Sequence, residues 1–150
     1  MIRDDIKAAQ ITAMKARDAE TTGAIRLIQA AIKNRDIELR TASALPDDDV
    51  LISEVLQKMA KQRRESIEMF EKGGRTELAA TEQGELAVIE GFLPKQMDEA
   101  EAKAAIGAVI AELGAATVKD MGRVMAAVKE RFAGKMDMGK ASGLVKQALS

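Results

Sequence analysis

The sequence predicts an all-α protein, and three observations lead to this prediction. Proline occurs only twice in the 150 residues, at Pro46 and Pro94, so there are few places where a helix is obliged to end. No segment shows the sustained alternation of a half-buried strand, whereas apolar residues recur at helical spacing along almost the whole chain. The composition, with 27 alanines and three phenylalanines as the only aromatic residues, is typical of a helix-rich protein with a thin, tightly packed core.

Four helices are predicted before Pro94. The aspartates after Pro46 favour a helix start, because carboxylates stabilise the positive end of a helix dipole, and Gly73 with Gly74 favours a helix end. The predicted helices cover about residues 2–17, 21–40, 48–72 and 75–92. Their inward faces are expected at Ile2, Ile6, Ala9 and Ala13; at Ile25, Ile28, Ile32 and Leu39; at Ile52, Val55, Met59, Ile67 and Phe70; and at Leu78, Leu86, Ile89 and Leu93.

Three further helices are predicted after Pro94. Asp98 with Glu101, and Thr117 with Asp120, have the spacing of a capping box at a helix start. The helices cover about residues 99–113, 118–132 and 138–149, and the last begins at Asp137 or Met138. Their inward residues are expected to be Val118, Met121, Met125, Val128 and Phe132, then Met138, Ala141, Val145 and Ala148. We therefore expect two domains, a four-helix bundle-like domain over residues 1–94 and a small three-helix domain over residues 95–150.

The chain contains no cysteine and no histidine. This excludes thiol and imidazole catalysis, a disulfide scaffold and the usual zinc and copper ligands, so we expect no cofactor and no metal. The acids at 47–49 lack the spacing of a calcium loop, and a helix start explains them. The segment MIRDDIKAAQ is charged from its third residue, unlike a signal peptide, and the longest apolar run, residues 104–111, is too short to span a bilayer. We expect a cytoplasmic protein without a membrane partner.

Charge divides at the expected domain boundary. Residues 1–94 carry 14 Lys and Arg against 17 Asp and Glu, a net charge of −3, whereas residues 95–150 carry 9 against 7, a net charge of +2. A basic face near the end of the chain could contact RNA phosphates, or it could be an ordinary solvated helix face. Because stacking aromatics are missing, any recognition would be by shape and backbone. The candidate nucleic-acid-binding residues are Lys119, Arg123, Arg131, Lys135, Lys140 and Lys146.

The stretch GKMDMGKAS, residues 134–142, has part of the spacing of a phosphate-binding P-loop. Gly134, Gly139 and Lys140 fit, but Ala141 stands where the magnesium-binding hydroxyl belongs, and Ser142 comes one position late. A P-loop also follows a strand, and no strand is predicted. We favour a joint between two helices, in which the first glycine ends one helix and the second allows close packing at the start of the next.

Two arginines interrupt the apolar stripes of the N-terminal helices, Arg35 on the second helix and Arg63 on the third. An arginine in a buried stripe is costly unless it is paired. Two interpretations stay open: ion pairs that fix the register of the helices, or a polar groove for an anionic ligand lined by Arg35, Arg63 and Arg64. The candidate acidic partners are Glu38, Glu65, Glu82 and Glu85.

Five segments of the chain carry a family resemblance. KDMGRVM, residues 119–125, fits a K-D-M-G-x-V-M run, and GKMD, residues 134–137, fits a G-[KR]-x-D turn that precedes a final helix similar to V-x-x-L-V-K. The segments AIRLIQAAIKNRDIELR, KQRRESIEMFEKGGRTEL and EGFLPKQM fit further signatures in the expected order. Over essentially its full length the chain resembles the GatB/YqeY family, as a YqeY-like relative of the tail domain of the B subunit of glutamine-dependent aminoacyl-tRNA amidotransferase.

The resemblance implies a link to tRNA. In the amidotransferase the B-subunit tail is associated with tRNA recognition, and the kinase-like and amidase chemistry lies in other domains. We expect a non-catalytic tRNA-binding or tRNA-amidation-linked accessory factor, with tRNA and an aminoacyl-tRNA synthetase or amidotransferase component as partners and no DNA. The alternative is a helical protein–protein adaptor without a nucleic-acid role. Carbon–nitrogen ligase activity with glutamine as amido donor is implied only by family association, and the chain has no cysteine for glutaminase work.

Overall fold

The computed structural model describes residues 1–150 and contains seven α-helices and no strand, which confirms the all-α prediction. The chain divides into two compact units, Met1–Leu93 and Pro94–Ser150. Two 3₁₀ turns, Leu39–Thr41 and Val118–Asp120, follow the second helix and precede the sixth. The helices are α1 (Ile2–Lys15), α2 (Ala19–Glu38), α3 (Asp48–Lys72), α4 (Thr76–Phe92), α5 (Glu99–Leu113), α6 (Met121–Phe132) and α7 (Met138–Leu149).

Helix starts and stops in the N-terminal unit follow local chemistry. The Asp18 carboxylate accepts the backbone N–H of Thr21 at 3.1 Å and its hydroxyl at 2.6 Å, which caps α2 and lowers the pKa of Asp18. Helix α3 begins directly after Asp47 and ends at Lys72, with Gly73 as its C-cap. Gly74 then adopts a left-handed conformation with φ of 74°, which glycine does at no steric cost.

The core of the N-terminal unit consists mainly of isoleucine. Burial of a side chain of this size stabilises the folded chain by about 1.5–3 kcal/mol, so these contacts hold α1–α4 together. The largest fully buried members are Ile6, Ile25, Ile28, Ile52, Leu56 and Ile89.

Arg3 ties three helices of this unit together. Its guanidinium donates to both carboxylate oxygens of Asp36 on α2, at 3.1 and 3.2 Å, and to both of Asp48 on α3, at 2.8 and 3.1 Å. These bonds raise the pKa of Arg3, and the same guanidinium lowers the pKa of Asp48. The carboxylate of Asp49, also on α3, accepts the backbone N–H of Ile2 on α1 at 3.0 Å. The aspartates after Pro46 therefore join helices as well as starting one.

The C-terminal unit packs α5–α7 around a smaller, valine-rich core. Asp98 caps α5 by accepting the backbone N–H of Glu101 at 2.8 Å, and Gly114 ends that helix with φ of 62°. The buried side chains come from all three helices. They include Ile106, Val109, Val124, Val128 and Val145, each 1% exposed or less.

Three expected inward positions are exposed instead. Val118 lies in the 3₁₀ turn and is 46% exposed, because the α-helical spacing of α6 does not extend into that turn; Val124 is the buried position. Ala148 is exposed and Leu149 buried, because eleven residues after Met138 complete about three turns, whereas ten fall short. Leu78, in the first turn of α4, is 43% exposed, and its neighbour Ala79 is buried.

Candidate nucleic-acid interface

The 3₁₀ turn Val118–Asp120 is held by its last residue. The Asp120 carboxylate accepts the backbone N–H groups of Ala116 at 3.0 Å and Thr117 at 3.4 Å, and it contacts the Arg123 guanidinium at 3.3 Å. The two backbone N–H groups, and to a smaller extent the arginine, hold the pKa of Asp120 below its ordinary value. The turn also packs against α7, so the exposed Lys119 is brought beside the last helix.

The joint between α6 and α7 is fixed by bonds to a distant segment. The backbone N–H of Met97 donates to the Lys135 carbonyl at 2.8 Å, and the Gln96 side-chain amide donates to the Gly134 carbonyl at 2.5 Å. Gly134 itself has φ of 81°, a conformation that favours glycine. The backbone of Lys135 is therefore held in place while its side chain is exposed.

The joint is a connection between helices and lacks the architecture of a P-loop. No strand precedes it, since α6 ends at Phe132. The backbone N–H of Gly139 is used by the Asp137 carboxylate, which caps α7 at 3.0 Å. Gly139 does not provide close packing to another helix, because a Cβ placed there would meet only Asp137, at 3.4 Å.

Helix α7 separates an apolar face from a basic one. Ala141, Val145 and Leu149 are buried in the core of the unit, whereas Lys140 and Lys146 are exposed. The helix contains no acidic residue. Its outward face therefore carries positive charge that no carboxylate of the same helix offsets.

The six predicted cations fall into two groups. Arg123 contacts Asp120, and Arg131 forms an ion pair with Glu112 on α5. The other four are exposed and form no ion pair, and we call them the four unpaired lysines: Lys119, Lys135, Lys140 and Lys146.

Two more lysines of the C-terminal unit are exposed and form no ion pair, and neither is among the residues predicted from the sequence. Lys129 lies on α6 away from the buried Val124 and Val128, and its omission from the predicted face was avoidable. Lys95 precedes Gln96, whose side chain is bonded to the joint 38 residues later. No pattern within the sequence indicates this contact between Gln96 and the joint, which fixes the position of Lys95.

The three arginines of the predicted polar groove meet separate carboxylates. Arg63 lies between α3 and α4, 17% exposed, and its Nε is 2.7 Å from Glu85 and 3.1 Å from Glu82. Arg64 pairs with Glu90 at 2.8 Å and is about half exposed. Arg35 pairs with Glu38 on its own helix at 2.9 Å and lines a groove of about 420 Å³ between α2 and α3. The structure therefore shows ion pairs at all three positions.

The Arg63 cluster has one cation for two acids. The single Nε–H donates to Glu85, and the buried Oε2 atom of Glu82 accepts no hydrogen bond although it lies close by. Both acids belong to α4 and the arginine to α3. The cluster joins these two helices and retains an excess negative charge.

The fold and the site define an all-α protein of two helical units whose C-terminal unit exposes unpaired lysines. Residues 3–149 match the YqeY-like protein family, and the chain belongs to this family, which is related to the tail domain of the amidotransferase B subunit. No helix in the structure combines the length and the apolar character needed to cross a membrane.

Three curated relatives share the name "Altered inheritance of mitochondria protein 41, mitochondrial". The chain is 34% identical over 93 residues to that of Saccharomyces cerevisiae (strain YJM789), covering 62% of this chain and 46% of the relative. The Eremothecium gossypii protein is 35% identical over 92 residues, 61% and 46% of the two chains. The Lachancea thermotolerans protein is 30% identical over 114 residues, 75% and 57% of the two chains. The chain thus spans about half the length of the curated relatives it matches.

These names overturn one expectation from the sequence. A cytoplasmic location was expected from a charged N-terminal segment and short apolar runs, whereas the relatives are named as mitochondrial proteins. The cytoplasmic expectation is therefore wrong. A charged N-terminal segment and short apolar runs argue against a secretory signal and a membrane span, but they do not distinguish the cytoplasm from the mitochondrion.

Proposed function

We propose that the protein is a non-catalytic tRNA-binding accessory factor whose C-terminal unit contacts RNA phosphates. The observation that carries this proposal is the set of four unpaired lysines on and around α7. An unpaired lysine gains the full benefit of counterion release when it meets a phosphate. An arginine that is already paired must first give up its carboxylate, so Arg123 and Arg131 contribute less.

The family relation supports the choice of tRNA over other polyanions. The YqeY-like family is related to the tail domain of the amidotransferase B subunit, and the resemblance links that tail to tRNA. On the same basis we propose an aminoacyl-tRNA synthetase or an amidotransferase component as a protein partner. The chemistry of amide transfer would then belong to the partner, and release of ammonia from glutamine by this chain alone would contradict the proposal.

The mode of recognition follows from the side chains available. Phe132 is the only aromatic residue of the C-terminal unit, and it packs against the core. Unstacked bases therefore have no aromatic platform on this unit. We expect contacts to the phosphate backbone of folded RNA, with strong dependence on salt and weak dependence on base sequence.

The test is binding of labelled tRNA, measured by fluorescence anisotropy across a salt series. The variant is Lys119→Ala/Lys140→Ala/Lys146→Ala. Its matched control is Lys15→Ala/Lys33→Ala/Lys61→Ala, which removes the same charge from exposed, unpaired lysines of the N-terminal unit. We expect the first variant to reduce the magnitude of the slope of log affinity against log salt by about 2–3, since each lysine that meets a phosphate contributes about 0.9 to it. The control variant should leave this slope unchanged.

Two results would contradict the proposal. Equal losses of affinity in the two triple variants would show a response to net charge without a localised site. Absence of binding by the wild-type protein at low salt, with helical circular dichroism intact, would exclude the tRNA role. The alternative of a protein–protein adaptor would then gain weight, and one observation favours it independently: the N-terminal unit has a net charge of −3 and an open groove on its surface.

A further inference from the structure

A groove of about 590 Å³ runs between α2 and α4 on the N-terminal unit. Small and aliphatic side chains line it. They are Gly23, Ala24 and Leu27 on α2 and Ala80, Gly84 and Val88 on α4. Leu27 is 45% exposed, so a large apolar side chain faces solvent in a groove that the chain itself leaves open.

The two glycines of the groove have no explanation within the unit. Glycine inside a helix is destabilising relative to alanine. A Cβ added to Gly23 or Gly84 would meet no atom within 4 Å, and neither residue has a positive φ. Without side chains, these positions expose the helix backbones. A second helix can approach more closely where the contacting side chains are small.

The charge around the groove has one sign. Its only charged lining residues are Glu20 and Glu85. Glu20 forms no ion pair, and Glu85 accepts the Nε–H of Arg63, which is the only cation paired with both Glu85 and Glu82. The lining of the groove is therefore mostly apolar, with Thr21 and Thr81 as its uncharged polar residues, and its border is acidic, with Glu20 free of any ion pair.

We infer that the α2–α4 groove docks a cationic amphipathic helix of a partner protein. The alanine and leucine face of the partner helix would lie over Gly23 and Gly84 and contact Leu27. The lysines or arginines of that helix would meet Glu20 and Glu85. This is the helix-in-groove mode of recognition, in which apolar anchors at helical spacing supply affinity and flanking charges supply specificity. The site belongs to the N-terminal unit and is independent of the RNA contacts proposed for α7.

Charge distinguishes this occupant from two others. A second copy of the chain docked by two-fold symmetry would bring the same acidic border against itself, and like charges at an interface are unfavourable. Nucleic acid would be repelled by Glu20 and Glu85 and would gain nothing from the aliphatic lining. A basic helix satisfies both the apolar lining and the acidic border.

The test uses the full chain and two synthetic helical peptides as probes. Both peptides carry the same leucine and alanine face, and they differ only in having lysine or glutamate at the flanking positions. Binding is measured by anisotropy and by shifts of amide signals in NMR spectra. Gly84→Leu fills the groove, whereas Gly91→Leu is the matched control, since Gly91 is also open on α4 but does not line the groove.

We expect the lysine peptide to bind about tenfold more tightly than the glutamate peptide, and Gly84→Leu to weaken it by a similar factor. Gly91→Leu should bind as the wild type does, and Glu20→Gln should weaken binding about threefold and reduce its salt dependence. Equal affinity of the two peptides, no binding of the lysine peptide, or equal weakening in both leucine variants would overturn the inference. The inference would also be overturned if the wild-type chain self-associated and Gly84→Leu abolished that self-association. Binding of tRNA is expected to be unchanged in Gly84→Leu, so this test and that of the RNA proposal fail separately.

Discussion

The two units of the molecule use their charged side chains differently. In the N-terminal unit Arg3, Arg63 and Arg64 each pair with acids on another helix. In the C-terminal unit a single arginine, Arg131, does so. Both units expose unpaired lysines, but the four unpaired lysines lie in a unit of net charge +2, whereas Lys15, Lys33 and Lys61 lie in one of net charge −3. Charge paired across helices acts on the stability of the fold, whereas unpaired exposed charge is available to a partner.

The largest expected effect in this comparison comes from removing Arg63. Without its guanidinium, Glu82 and Glu85 face each other with no cation, and the buried oxygen of Glu82 is left in a carboxylate pair. We expect Arg63→Ala to lower the free energy of unfolding by about 2–3 kcal/mol. Urea denaturation followed by circular dichroism measures this.

Arg64→Ala is the matched control for that variant. Arg64 is about half exposed and its ion pair with Glu90 is screened by solvent, so its removal should cost no more than about 0.5 kcal/mol. A cost for Arg63→Ala as small as that for Arg64→Ala would show that the cluster does not hold α3 and α4 together.

The second effect concerns Arg3 and its dependence on pH. We expect Arg3→Ala to cost about 1.5 kcal/mol at neutral pH, since two carboxylates lose charge-assisted bonds. Arg3 lowers the pKa of Asp48 from its ordinary value of 3.8, so this contribution is present above the unfolded-state pKa and is lost as the pH falls through the folded-state value.

Thermal melts of both proteins at several pH values test this dependence. The difference between wild type and Arg3→Ala should be constant from about pH 7 to pH 5 and should shrink below about pH 4. Arg40→Ala, an exposed and unpaired arginine, serves as control and should show no such difference. A gap between wild type and Arg3→Ala that persists at low pH would assign the effect to packing of the arginine stem instead.

The third effect sharpens the contrast between paired and unpaired cations within the C-terminal unit. Lys140→Ala/Lys146→Ala and Arg123→Ala/Arg131→Ala remove the same net charge. Because the lysines are unpaired and the arginines are not, we expect the lysine variant to weaken tRNA binding about fivefold and the arginine variant about twofold or less. Anisotropy titrations at one low salt concentration measure both, and the reverse order would contradict the assignment.

The smallest effect concerns glycines on exposed helix faces of both units. A Cβ at Gly143 on α7 or Gly84 on α4 would meet no atom within 4 Å. Each single change to alanine should therefore raise the free energy of unfolding by about 0.5 kcal/mol. Gly134→Ala should instead destabilise the protein, because Gly134 has φ of 81°. Destabilisation by Gly143→Ala would mean that this helix face packs against something in the folded chain.

Much of the fold could be predicted because its signals are local. Pro46 with the aspartates that follow it, and the pair Gly73–Gly74, placed α3 over residues 48–72, where the structure has it. Capping chemistry at Asp98 likewise placed α5. The inward faces were predicted less well at helix ends, as Val118 and Ala148 show, because a 3₁₀ turn or a small error in angle changes which side chain is buried.

The candidate sites could be predicted only in part, because they depend on contacts between distant residues. The basic residues near α7 were visible as a bias in composition. The sequence did not indicate which of these residues form ion pairs, because the partner can be distant: Glu112 lies 19 residues before Arg131. The acids at 47–49 were explained by a helix start, and nothing in the sequence pointed to Arg3, 45 residues from Asp48. The α2–α4 groove requires two helices to be placed side by side, and periodicity alone does not do that.

The measurement that most directly tests the central claim is an NMR titration of the full chain with tRNA, with residue-resolved amide signals. We expect shifts and line broadening to concentrate at Lys119, Lys135, Lys140, Lys146 and their neighbours, to weaken as salt is added, and to spare the α2–α4 groove. Shifts centred on α1–α4, or no shifts at low salt, would contradict the claim that the unpaired lysines of the C-terminal unit form the contact with RNA.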